Sequence, residues 1–322
     1  VTFSNLSSLQ IHVAKSGTGT AKLTVNGNDY SSLVVDDTRI TIPETSLSTI
    51  AFGYTGGTST ATGVSGVYVD GKLLVNSNAN PTSVPSINSV VKANPEAGFS
   101  VVTWTASAAG SRISHGLNAV PEMIIAKSRT TTQPWVVYHS ALGRGGVLQL
   151  HSNAANITTY SEYWGANDPT SSVFDVYTGQ TPWANNAGDM VAYCISSVAG
   201  YSSVGSYTGT GFSDNRAPFI YLGFRPAFVM IKSSTLSHNW VIFDSTRGAY
   251  NVVDEMLFAN QSIAEAAVHS GDTNTGDLDF DILSSGIKLR TANWSVNKGS
   301  SDTYIYLAFA ENPFSANGGL AR

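Results

Sequence analysis

The segment Pro121–Gly143 recurs in the chain, and the recurrence limits what the chain can fold into. Pro121, Lys127, Trp135 and Gly143 return as Pro226, Lys232, Trp240 and Gly248, each 105 positions later (Pro121 to Pro226). The residues between match in kind. Met123-Ile124-Ile125-Ala126 corresponds to Phe228-Val229-Met230-Ile231, and Trp135-Val136-Val137-Tyr138 to Trp240-Val241-Ile242-Phe243. A second block closes each copy: Ser171, Ser172, Phe174, Val176, Asp189 and Tyr193 correspond to Ser284, Ser285, Ile287, Leu289, Asp302 and Tyr306, at an offset of 113 (Ser171 to Ser284). Self-similarity at this spacing predicts a tandem duplication of one supersecondary unit. The sequence is read as two homologous β units, 98–199 and 200–314. They open on Gly98-Phe99-Ser100 and Gly200-Tyr201-Ser202. Positions kept in both copies are expected to hold the unit together, and positions that differ are free to carry function.

Composition points the same way. Charged residues make up 12% of the 322, about half the usual share of roughly 25%, and polarity comes from Ser, Thr, Asn and Gly. Thr favours strands while Gly and Asn favour turns. Net charge is −5 without a basic stripe, which argues against a nucleic-acid partner. No apolar run reaches the roughly 18 residues of a membrane helix, so no membrane insertion is expected. The chain opens on Val-Thr-Phe without a signal pattern, as a fragment or processed product would.

Short strands are predicted through 1–76, read as a partial β-sandwich, with an Asn26-Gly27 hairpin turn and another at Asp70-Gly71. Residues 77–97 are rich in Pro, Ser and Asn and read as a linker in which Val90 and Val91 dock on a neighbour. Each unit then carries a run of strands. Asp254–Ala267 has near-helical apolar spacing, and 315–322 reads as a polar tail. The fold class expected is all-β.

Residues that could carry chemistry are sparse. The single cysteine, Cys194, aligns with Leu307 at the offset of 113 and reads as a small buried hydrophobe. None of the six histidines is spaced as a metal pair on a helix. No nucleophile elbow, P-loop or dinucleotide fingerprint occurs, so no cofactor is expected. Asp272–Asp277 alternates oxygen ligands as a calcium loop does, but Leu283 stands where its twelfth-position Glu belongs, and a solvated turn accounts for it. Glycoside hydrolysis needs two carboxylates about 5–10 Å apart. Glu162, Asp168 and Asp175 cluster in sequence, as do Asp277, Asp279 and Asp281.

The six tryptophans divide. Trp135 and Trp240 are duplicated and are read as core anchors, whereas Trp104, Trp164, Trp183 and Trp294 are not duplicated. Aromatic rings beside Asn in loops can stack on a sugar ring while amides bind its hydroxyls; the same rings can cap a unit or fill a subunit interface. Tyr163, Trp164, Trp183 and Trp294 are therefore the candidate contact residues, with hydrogen bonds from Asn167 and Asn185. They lie in loops that differ between the copies, where specificity can change without breaking strands.

The runs Gly98-Phe99-Ser100-Val101-Val102, His115-Gly116-Leu117, Pro121–Lys127, Trp135–His139 and Val191-Ala192-Tyr193-Cys194 resemble a domain of bacteriophage structural proteins. So do Gly223–Val229, Asn251–Asp254 and Ala308–Phe314. That domain recurs at the C-terminal end of tail fibre and other virion appendage proteins, notably in phages of marine bacteria and cyanobacteria. The resemblance covers 98–314, and 1–76 resembles the β-sandwich segment that often precedes it. It brings no established activity and no assigned site residues. It implies a location in the virion, other virion proteins as partners, and a homo-oligomer, most often a trimer. Three functions stay open: contact with a host surface glycan, cleavage of that glycan by a tailspike-type hydrolase, and a purely structural or decorating role.

Overall fold

A computed structural model describes residues 3–17, 20–35, 38–55, 59–70, 72–76, 85–106, 110–158, 163–176, 188–265 and 278–313. The chain is all-β and divides into two compact units, Val1–Val84 and Pro85–Arg322.

The first unit holds β1 (Phe3–Ser4), β2 (Leu9–Gly17), β3 (Thr20–Val25), β4 (Asn28–Asp29), β5 (Thr38–Ile42), β6 (Ser46–Leu47), β7 (Ile50–Thr55), β8 (Ser59–Val69) and β9 (Lys72–Asn76). A four-stranded sheet, β5-β2-β8-β9, and a three-stranded one, β4-β3-β7, share one core of Leu9, Ile11, Val13, Leu23, Val25, Ile42 and Val67. Both sheets follow from alternation, which sends every second side chain to one face. The Asn26-Gly27 turn has positive φ at both residues (52° and 87°), as the hairpin signal requires. Asp70 closes the β8–β9 hairpin, and its Oδ1 accepts bonds from Ser7 N, Ser7 Oγ and Ser8 N at 2.7–2.9 Å.

The second unit begins with β10 (Ser89–Asn94), β11 (Phe99–Thr105), β12 (Ser111–Ser114), β13 (Met123–Ser128), β14 (Val136–His139), β15 (Leu148–Gln149), β16 (Val173–Val176) and β17 (Asp189–Ile195). It continues with β18 (Ser202–Thr208), β19 (Phe219–Tyr221), β20 (Pro226–Ser233), β21 (Val241–Asp244), β22 (Leu257–Phe258), β23 (Phe280–Leu283), β24 (Gly286–Leu289) and β25 (Thr303–Ala310). Two large sheets form, β10-β11-β17-β13-β14-β15 and β18-β25-β20-β21-β22, with two small ones, β12-β16 and β19-β24-β23. Omitting β10, the large sheets run in the same order, strand for strand.

The sheets stack in four layers. Val102, Trp104, Ile124, Tyr138 and Cys194 join the first large sheet to Ile113 and Phe174 of β12-β16. Val229, Phe243 and Tyr304 join the second to Ile220, Phe280 and Ile287 of the other small sheet. The opposite faces of the large sheets meet through Met123, Val137, Leu148 and Ile195 against Val204, Met230, Trp240, Ile305 and Leu307. Hydrogen bonds also cross this middle layer, among them Trp240 Nε1 to Gln149 O at 2.9 Å and Asn156 N to Ser234 O at 2.8 Å.

Four expectations change. Ser89–Asn94, within the expected linker, is strand β10, because Val91 and Ala93 turn inward along it while Val90 and Lys92 stay out. No α-helix forms over the described part of 254–267. Leu257 and Phe258 form a short strand instead, with Leu257 opposite Ile242, while Met256 packs into the core and Ile263 stays exposed. Trp135 is only half-buried and stacks on Tyr193 at 6.3 Å, while Trp240 is buried in the middle layer. The fourth change is in register. Met123 pairs with Ile195 and Phe228 with Phe309, so the last strands correspond at an offset of 114 (Ile195 to Phe309) rather than 113. A one-residue slip exchanges the two faces of a strand. Tyr193 therefore matches Leu307 and not Tyr306, and Cys194 matches Ala308 and not Leu307. The burial agrees: Met190, Ala192 and Cys194 face one outer core, and Tyr304, Tyr306 and Ala308 face the other. The identical Tyr and Asp letters had masked the slip. Volumes compensate across it. Val102 lies opposite Ala192 in one sheet, whereas in the other Gly205 lies opposite Tyr306, whose ring fills the space a Cβ would need.

Candidate functional site

The structure separates the candidate contact residues. Tyr163 and Trp164 are buried (7% and 1% exposed) in the core beneath β12-β16, with Trp164 edge-on to Tyr138 at 5.7 Å. Neither ring can act as a stacking platform. The polar letters around them suggested an exposed loop, but the loop folds its aromatics inward to close the small sheet. Trp183 and Asn185 lie outside the described residues. Trp294 is half-buried; Lys298 Nζ sits 4.1 Å above one ring face and His238 meets the ring edge-on at 6.0 Å, so a cation–π contact takes a face a sugar would need. Of the four that are described, Asn167 is the one that lines a hollow.

That hollow, about 300 Å³, is lined by Ser86, Gly110, Ser111, Arg112, Gly165, Ala166, Asn167, Asp175 and Val176. Its floor is the pair β12 and β16. Ile113 opposite Phe174 points to the core, so the alternate pair Arg112 opposite Asp175 points away from it. Ser86 is tied along β12 by two bonds, Ser86 N to Arg112 O at 3.0 Å and Arg112 N to Ser86 Oγ at 2.7 Å. The rim is the segment 163–168. Arg144 holds it from below, donating from Nη1 to Gly165 O at 3.1 Å and from its backbone N to Asp168 Oδ1 at 3.2 Å. Gly165 has φ of 80° and packs against Asp175, where a Cβ would lie 2.3 Å from the Asp175 Cβ. Only glycine lets the rim come this close.

Chemically the hollow offers a fixed carboxylate, an amide, hydroxyls and a guanidinium. Asp175 is 7% exposed, and its Oδ2 accepts from Asn167 N at 3.2 Å and Asn167 Nδ2 at 2.9 Å. Arg112 Nε is buried without a hydrogen-bond partner, and no ion pair joins Arg112 to Asp175 among the described residues. At the matching place in the second small sheet, Phe219 stands opposite Lys288, and Phe219 is 48% exposed. The arrangement belongs to one half alone, so the shared framework does not require it. Sequence reasoning missed Arg112 altogether and met Asp175 only as one of three neighbouring acids. A carboxylate inside the apolar run Val173-Phe174-Asp175-Val176 was the available signal.

The buried titratable groups lie elsewhere. Burial pushes the Cys194 thiol up to about 12, which leaves it without thiolate character at neutral pH. His139, fully buried in the middle of the second unit, is pushed down to about 4 by desolvation; its Nδ1 accepts from Ala141 N at 3.1 Å. The Gly205 and Tyr306 carbonyls lie near the ring but complete no bond of good geometry to Nε2. Among the described residues no group of His, Cys, Asp and Glu is arranged to hold a metal ion.

These features define an all-β protein of layered antiparallel sheets, with a small polar hollow over β12-β16. A family model for a domain of unknown function, DUF7483, matches residues 8–313, and the chain belongs to that family. The match spans both compact units. No curated protein and no solved structure matches the chain.

Proposed function

We propose that the chain is a component of a bacteriophage tail fibre or similar virion appendage, assembled as a homotrimer with other virion proteins, and that it contacts glycan on the host cell surface. The hollow between β12-β16 and the 163–168 rim carries the proposal. Convergent donors and acceptors at the small end of ligand-sized sites, about 300–1,000 Å³, suit reversible recognition of a polyhydroxylated ring. Binding is favoured over hydrolysis because the lining supplies one carboxylate, Asp175, where glycosidic cleavage uses two. The phage assignment rests on the sequence resemblance. The matched strand orders of the two large sheets support descent of both halves from one ancestral unit.

The test is to apply fluorescently labelled protein to a panel of marine bacterial and cyanobacterial cells and to assay the same mixtures for new reducing ends. Strain-selective binding without reducing ends supports the proposal. Reducing ends would replace it with a depolymerase, and absence of binding to every strain with a decorating role. Light scattering should give three times the chain mass; a monomer at micromolar concentration counts against the trimer.

A further inference from the structure

We infer that the hollow takes an acidic sugar, one bearing a carboxylate on a hydroxylated ring; this deepens the proposed glycan contact and rests on it. Arg112 lies in a concave site with its Nε buried and unbonded, although Asp175 stands directly opposite it across the strand pair. A buried donor without a partner is costly, and native structures seldom keep one without a reason. Asp175 does not relieve it because Asn167 holds the carboxylate from the rim with two bonds to Oδ2. Gly165, packed on Asp175, and Arg144, holding Gly165, keep that rim in place.

Two functions are thereby kept apart in one small space. The guanidinium presents a planar fork that matches a carboxylate through paired, charge-assisted bonds. Asp175 Oδ1, left over from the Asn167 contact, can accept from ring hydroxyls, and Ser86 and Ser111 add hydroxyls to the lining. A simple anion would fill the fork but meet the Asp175 charge with nothing to offset it. A neutral sugar would satisfy Asp175 and leave the fork unmatched. A uronic acid answers both. The second half of the chain has the aromatic Phe219 and the point charge Lys288 in these places, so it lacks both the fork and the acceptor.

The experiment is calorimetric titration of the whole chain with D-glucuronate, D-glucose and acetate at low ionic strength. It is repeated on Arg112→Gln and Arg112→Lys, with thermal melting as the check on folding. Glucuronate should bind in the millimolar range and about tenfold or more tighter than either glucose or acetate, because only it uses both charge-assisted and hydroxyl contacts. Arg112→Gln should bring glucuronate to the level of glucose, and Arg112→Lys should recover only part of the difference because an ammonium has no fork. Equal binding of glucuronate and glucose overturns the acidic-sugar assignment. Acetate matching glucuronate reduces the site to an anion hole and also overturns it. Should Arg112→Gln not fold, the Arg112→Lys variant decides: unchanged glucuronate affinity there refutes the fork. Cell binding that persists in a folded Arg112→Gln variant removes the hollow as the receptor site but leaves the host-contact proposal intact, whereas wild-type protein that binds no cells removes that proposal.

Discussion

Lys232 is fully buried, and desolvation lowers its ammonium from the ordinary 10.5 to about 7. Its Nζ donates to Ser233 O at 2.5 Å and to Leu236 O at 3.3 Å, holding the turn after β20. A lysine whose folded value lies below its unfolded value leaves the unfolded chain holding more protons between about pH 7 and 10.5. Stability must then rise with pH across that window, by about 1.4 kcal/mol per unit at most, and be lost again as pH falls toward 7. The burial cost of Lys232 is about 4 kcal/mol at pH 7 and about 1 kcal/mol at pH 10 on this reasoning. Lys232→Met removes the titration and also two hydrogen bonds, together worth about 2–3 kcal/mol. The variant should therefore be more stable than the parent at pH 7 by about 1–2 kcal/mol and less stable at pH 10 by a similar amount. Urea unfolding of both proteins at half-unit steps from pH 7 to 10 measures the difference, in which tyrosine and cysteine titrations common to both cancel. Parallel stabilities across the range would show that the two carbonyls keep the ammonium charged, and would refute the reasoning.

Two further outcomes follow from burial. His139, lowered to about 4 from 6.5, leaves the unfolded chain with the extra proton below pH 6.5, so stability should fall by about 3 kcal/mol between pH 6.5 and 4 and change little from this source below. In His139→Gln that slope should shrink, as read from denaturation midpoints at each pH; an unchanged slope would place the acid sensitivity elsewhere. Trp164→Ala should cost about 3–5 kcal/mol, since the ring is core and not surface, and a melting point equal to the parent's would contradict its burial.

The all-β class was the legible part of this chain, because apolar letters at strand spacing show which elements exist and in what order. Lys127 and Lys232 show where the letters stop. They stand at equivalent places in β13 and β20, yet Lys127 is half-buried and Lys232 fully so. Face assignments needed pairing: Tyr193 and Tyr306 look equivalent in sequence but lie on opposite faces, since one residue of slip costs nothing in composition. The hollow was illegible for a related reason. Arg112 and Asp175 are 63 positions apart (Arg112 to Asp175) and meet only through the β12–β16 register, while Trp164, conspicuous in the sequence, serves the core beneath them.

The four layers set a limit on multiplicity. With the large sheets back to back, the two small sheets face opposite sides of the second unit, and only one of them carries the Arg112–Asp175 hollow. With the proposed glycan contact at this hollow, the receptor valency of an assembly built from this chain would equal its number of chains, not its number of halves. A second site on the opposite side would have to be written into the Phe219 and Lys288 positions, where it could evolve toward a different ligand without disturbing the first.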